Sequence, residues 1–85
     1  MDRVEIVKIT NAALVKEFEL DESIMKPNAE FGKDLGLDSL DSVDMVVVLE
    51  QAFKVKLRTN YEAGKIRTLG DLYDFIEGLV AKQNA

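Results

Sequence analysis

The sequence predicts an all-α fold, a compact bundle of three principal helices and one short helix forming a single domain over residues 1–85. Three observations lead there. Apolar residues recur at helical spacing in three separate stretches. A residue able to cap a helix precedes each stretch: Asp2, Asp38 and Thr68. Asn60 offers a further cap for a short turn between the second and third stretches.

The first helix is expected from about Arg3 to Phe18, because Asp2 and Glu5 make an Asp-x-x-Glu pattern resembling a capping box. Val4, Val7, Leu14, Val15 and Phe18 recur at helical spacing, and Ile6 and Ile9 widen the stripe. Thr10 and Asn11 lower helix propensity in mid-segment. A long connection follows from Glu19 to Asp38, holding Pro27, Gly32 and Gly36. Loops beyond about 12–15 residues are uncommon unless they carry a function. Leu20, Ile24, Phe31, Leu35 and Leu37 predict that this one packs in order across the core, with a short helix near Asp21 to Met25.

The second helix is expected from about Ser39 to Phe53, with Leu40, Val43, Val47, Leu49 and Phe53 as its stripe. Met45, Val46 and Val48 spread apolar surface well beyond one face. Its four valines each cost a few tenths of a kcal/mol of intrinsic helicity, roughly, relative to alanine. Burial at the centre of the bundle, or contact with a ligand, has to offset that. A short helix should run from Tyr61 to about Gly64 or Lys65. The last, from Leu69 to about Lys82, repeats Leu69, Leu72, Tyr73, Ile76, Leu79 and Val80 in i, i+3, i+4, i+7 order.

Composition narrows the function. Apolar residues at 47% with charged residues at 32% describe a globular chain. No stretch approaches the roughly 20 apolar residues of a membrane span, which argues against stable membrane insertion. The N-terminus lacks the pattern of a secretory signal, and there is no cysteine, so a cytoplasmic setting is expected. His is absent too. Without His or Cys there is no ready base at neutral pH and no thiolate, so autonomous catalysis is not expected. The net charge of −5 is uneven: nine acidic residues face two basic ones, Lys26 and Lys33, between Glu17 and Asp44. Five basic residues (Lys54, Lys56, Arg58, Lys65, Arg67) face one acidic residue, Glu62, from Lys54 to Arg67. The acidic face disfavours nucleic acid and suits basic partners.

One hydroxyl stands out. In Gly36-Leu37-Asp38-Ser39-Leu40-Asp41, Gly36 permits a tight path, Asp38 caps the helix and Asp41 favours its positive end. Ser39 then falls at or beside the first helical position, solvent-facing, where helix termini stabilise anions such as a phosphoester. A solvated carboxylate with a pKa of about 3.9 is too weak a base to make this serine a nucleophile.

The run from Phe31-Gly32-Lys33-Asp34-Leu35-Gly36-Leu37-Asp38-Ser39-Leu40-Asp41-Ser42-Val43-Asp44 to Leu49-Glu50 and Phe53 resembles the acyl carrier proteins. Ile66-Arg67-Thr68-Leu69-Gly70-Asp71-Leu72 is similar to that family's entry into its last helix, and the resemblance covers essentially the whole chain. It implies an acyl-carrier-protein-like bundle with 4′-phosphopantetheine, donated by coenzyme A, on Ser39, flanked by Asp38 and Leu40. It implies a phosphopantetheinyl transferase and acyl-loading and acyl-transferring enzymes with basic docking surfaces as partners of a monomer. Those enzymes would meet Asp38, Asp41, Asp44 and Glu50, with Leu40 and Met45 as the apolar contact. An acyl pocket would be lined by Val43, Val47, Leu49, Phe53, Ile66, Leu69 and Tyr73. The resemblance implies thioester carriage for fatty-acid or related biosynthetic enzymes. Lys54, Lys56 and Arg58 depart from the acidic pattern usual after the second helix and leave a specialised pathway open. The alternative is an unmodified helical interaction or regulatory module.

Overall fold

A computed structural model describes residues 2–57 and 65–83. Among them the chain forms α1 (Arg3–Phe18), a 3₁₀ turn (Glu22–Ile24), α2 (Ser39–Phe53) and α3 (Leu69–Gln83). The described residues hold no strand, only an isolated bridge between Glu30 and Thr68. The helix expected after Asn60 lies outside the described residues.

Each helix begins at the cap that the sequence supplies. The Asp2 side chain accepts the Glu5 amide at 3.0 Å to open α1. The Thr68 hydroxyl accepts the Asp71 amide at 3.1 Å, and Asp71 returns the contact by accepting the Thr68 amide at 3.2 Å. Such caps satisfy donors that have no partner inside the helix. Both α1 and α2 end on a residue in the left-handed region, Glu19 (φ 54°) and Lys54 (φ 57°).

Burial assigns the faces differently from the stripes read in the sequence. In α1 the fully buried seam is Ile6, Thr10 and Leu14, while Val4 is 61% exposed. Thr10 thus occupies the core rather than merely weakening the helix. In α2 the buried residues are Met45, Val46, Leu49 and Phe53, and Leu40 and Val43 point outward. A helix apolar on most sides has no unique inward face by periodicity alone. In α3 all six residues of the expected stripe are buried. Both α2 and α3 pack chiefly on α1. Asn11 accepts a hydrogen bond from the Tyr73 hydroxyl, Arg3 lies 5.5 Å from the Tyr73 ring centre, and Arg3 pairs with Asp74 at 2.7 Å. Burial pushes the Tyr73 phenol above its ordinary pKa, and Asn11 and then Arg3 act against that shift.

The connection between α1 and α2 is ordered, as its apolar residues predict. Met25, Ala29 and Leu35 are buried in it. Backbone bonds stitch it to the start of α3: Phe31 amide to Arg67 carbonyl (3.0 Å), Leu69 amide to Ala29 carbonyl (3.0 Å) and Gly70 amide to Pro27 carbonyl (2.8 Å). The loop before α2 and the segment before α3 therefore form one wall.

Candidate functional site

Gly36 takes φ +69°, a conformation costly for any residue with a Cβ, and turns the chain toward α2. Asp38 then caps the helix: its Oδ1 accepts the amides of Leu40 (2.9 Å) and Asp41 (3.0 Å). Asp41 Oδ2 accepts the Asp38 amide at 3.0 Å, completing a reciprocal box. Ser39 is thereby fixed as the first residue of α2 and is exposed. Its hydroxyl forms no hydrogen bond among the described residues. The Ser42 hydroxyl, one turn on, donates to the Asp38 carbonyl at 3.3 Å.

Ser39 opens on a cleft of about 360 Å³. Phe31, Leu37 and Ile66 give it apolar walls, and Lys33 and Arg67 bring positive charge to it. These five come from the connecting segment and the approach to α3. Of the five, the sequence singles out only Ile66 as a site residue. The placement of Lys33 as one of two cations in an acidic stretch was the available signal for another.

The residues expected at a partner surface divide. Asp38, Asp44 and Leu40 are exposed, Leu40 at 76%, and Asp41 is half-buried in its cap. Met45 is 2% exposed, so it belongs to the core and not to a partner contact. Val43, expected in an acyl pocket, is 63% exposed and lies one helical turn from Leu40, so these two form the outer apolar face of α2. Glu50 is half-buried, and its carboxylate accepts the Leu57 amide at 2.9 Å, which holds the chain leaving α2. Of the remaining pocket residues, Leu49, Phe53, Ile66, Leu69 and Tyr73 are buried together in one cluster, and Val47 is half-buried.

Chemically this is a place to attach something rather than a catalytic centre. The free hydroxyl has space beside it, and the carboxylates that flank it in the chain, Asp38 and Asp41, are committed to backbone amides. Comparison with known proteins agrees. Residues 11–76 match the family model described as a phosphopantetheine attachment site. The chain is 37% identical over 81 residues to an acyl carrier protein of Thermosynechococcus vestitus, covering 95% of this chain and 99% of that one. It is 39% identical over 77 residues to an acyl carrier protein of Helicobacter hepaticus (91% and 96% covered) and 38% over 66 residues to one of Helicobacter pylori (78% and 83%). With the free serine at a capped helix start and a family match over most of its length, the chain belongs to the acyl carrier protein family, the non-catalytic carriers of acyl groups linked through 4′-phosphopantetheine.

Proposed function

We propose that Ser39 is the attachment residue, and that the outer face of α2 is where the enzymes dock. The observation that carries this is the exposed Ser39 hydroxyl, fixed by the caps of its neighbours yet free of any hydrogen bond among the described residues. The residues present fit the group: an accessible oxygen at a helix start, with a cleft alongside. When attached, 4′-phosphopantetheine supplies a terminal thiol that holds acyl groups as thioesters. The protein's own part is to expose the oxygen and orient it. It has no imidazole to take the hydroxyl proton near neutral pH.

Members of this family work with a phosphopantetheinyl transferase and acyl-handling enzymes. For this chain, Asp38, Asp41 and Asp44 would steer basic surfaces, and Leu40 and Val43 would form the apolar centre of the contact. Val47, Leu49, Phe53, Ile66, Leu69 and Tyr73 would admit the acyl chain. The burial of Leu49, Phe53, Ile66, Leu69 and Tyr73 in one apolar cluster supports that route. Among the described residues no helix is long and apolar enough to cross a membrane. A single carrier domain in the cytoplasm fits a chain with no cysteine to oxidise.

The test is intact mass after incubation with coenzyme A and a broad-specificity transferase. One phosphopantetheine should be added to the wild type and none to Ser39→Ala, with unchanged circular dichroism. Absence of addition to the wild type, or addition to the variant, would remove Ser39 from the role.

A further inference from the structure

Two cations line the cleft beside Ser39, Lys33 and Arg67, the latter also acting at longer range on the Asp71 carboxylate. Neither side chain forms an ion pair or hydrogen bond among the described residues. Lys33 is exposed and sits within a stretch of nine acidic residues whose only other base is Lys26. Arg67 is held by its backbone: its carbonyl accepts the Phe31 amide at 3.0 Å, and its own amide donates to Asp71 at 3.2 Å. That first bond joins the Lys33 loop to the Arg67 segment, so the two charges are carried by one wall.

The carboxylates nearby are mostly occupied. Asp38 binds the first amides of α2, and Asp34 Oδ2 accepts the Glu30 amide at 2.8 Å. Asp71 binds the amides of Arg67 and Thr68. Glu30 also lines the cleft and is exposed. A phosphodiester formed at Ser39 would bring a negative charge among Asp38, Asp41 and Asp44, which is unfavourable without cations to meet it. Lysine serves as a mobile point charge and arginine as a planar fork for such an oxyanion.

We propose that Lys33 and Arg67 form an anion site for the phosphodiester that Ser39 carries once modified, seating the root of the arm against Phe31, Leu37 and Ile66. This rests on Ser39 being the attachment residue. Lys33 and Arg67 are positioning residues, acting on where the arm lies and not on any reaction. A carboxylate at the end of a short cargo has the same chemistry and is the other possible source of the anion.

The experiment compares ¹⁵N and side-chain spectra of four forms: unmodified, loaded with the free-thiol arm, and loaded with acetyl and with succinyl arms, each checked by intact mass. Loading the free-thiol arm should shift the Lys33 and Arg67 signals together with Phe31 and Ile66, with little further change between acetyl and succinyl. In Lys33→Gln/Arg67→Gln the population of the seated arm should fall by roughly two- to fivefold, the scale of exposed ion pairs, and Lys33→Arg should keep it. The wild-type spectra decide the matter even if a variant folds poorly. Mass gain at Ser39 with unmoved Lys33 and Arg67 signals would overturn the anion site while leaving the attachment intact. Shifts seen only with succinyl would overturn the phosphodiester as occupant in favour of the cargo. A wild type that gains no mass would instead overturn the attachment reading itself.

Discussion

Asp38 and Asp41 cap each other across Ser39 and Leu40: each carboxylate accepts the other's amide at 3.0 Å. The box holds the backbone of Ser39 from both sides and leaves its side chain free. Asp41 therefore has two duties, a structural one in the cap and the docking charge proposed for it.

Asp38→Ala should lower stability by about 1 kcal/mol, as loss of a helix cap does. For a domain of this size that corresponds to a melting temperature lower by about 4–8 °C. Asp38→Asn keeps an acceptor oxygen and should stay near wild type. The double variant Asp38→Ala/Asp41→Ala should lose less than the sum of the singles, because both belong to one box. Thermal unfolding by circular dichroism reads all of these, and equal losses for Ala and Asn at 38 would contradict the cap.

Two glycines of α3 should respond with opposite sign. A Cβ on Gly70 would lie 3.0 Å from the Pro27 carbonyl oxygen, a backbone atom already bonded to the Gly70 amide. The overpacking, of order 1–3 kcal/mol, outweighs the helix propensity that alanine brings in a first turn. Gly70→Ala should destabilise by about 1 kcal/mol. Gly78 has open space around its Cβ position, so Gly78→Ala should stabilise by about 0.5–1 kcal/mol. Urea unfolding of the two variants side by side is sufficient, and a shared sign would show that the Pro27 contact is not limiting.

The two apolar faces of α2 should separate stability from recognition. Met45→Ala empties a core position and should cost about 2–5 kcal/mol. Leu40→Ala and Val43→Ala remove exposed groups and should change stability by no more than about 0.5 kcal/mol. If the outer face docks the transferase, these same two variants should slow loading by about fivefold or more, the effect of a central contact. Normal loading rates in both would place the docking surface elsewhere.

Acid should loosen the entry to α3 through Asp71. The Arg67 amide first, and the Thr68 amide next, hold its carboxyl below the ordinary value, with the slight burial acting the other way. A carboxyl depressed in the folded state adds stability that is complete above its unfolded value of about 4. That stability is lost as the pH falls through the lower folded value. The stability gap between wild type and Asp71→Asn should therefore be largest near neutral pH and narrow below about pH 4. Denaturation curves across that range check it, and a gap that is constant with pH would mean that Asp71 acts by shape alone.

Much of this was readable from local sequence. The observed bounds of α1 and α2 coincide with those expected, because Asp2 and Asp38 reach amides only two or three residues away. The stripe of α3 was legible because polar residues such as Asp74 and Glu77 leave it one inward face. The phase of α2 was not legible. Its valines offer several apolar faces, and only the neighbouring helices decide that Met45 turns inward and Val43 outward. Asn11, a poor helix former within α1, accepts a hydrogen bond from Tyr73 of α3, a contact that local sequence does not encode.

The sequence by itself determined where each helix starts and that a free serine stands at the head of α2, since capping is chemistry between near neighbours. It also determined that no imidazole or thiolate stands beside this serine, because the chain has no His or Cys. Tertiary structure alone decided that Lys33 and Arg67 share a cleft with Ser39. That meeting depends on backbone bonds from Ala29 and Phe31 to the approach of α3, and pairings between distant segments leave no periodicity in the chain to be read.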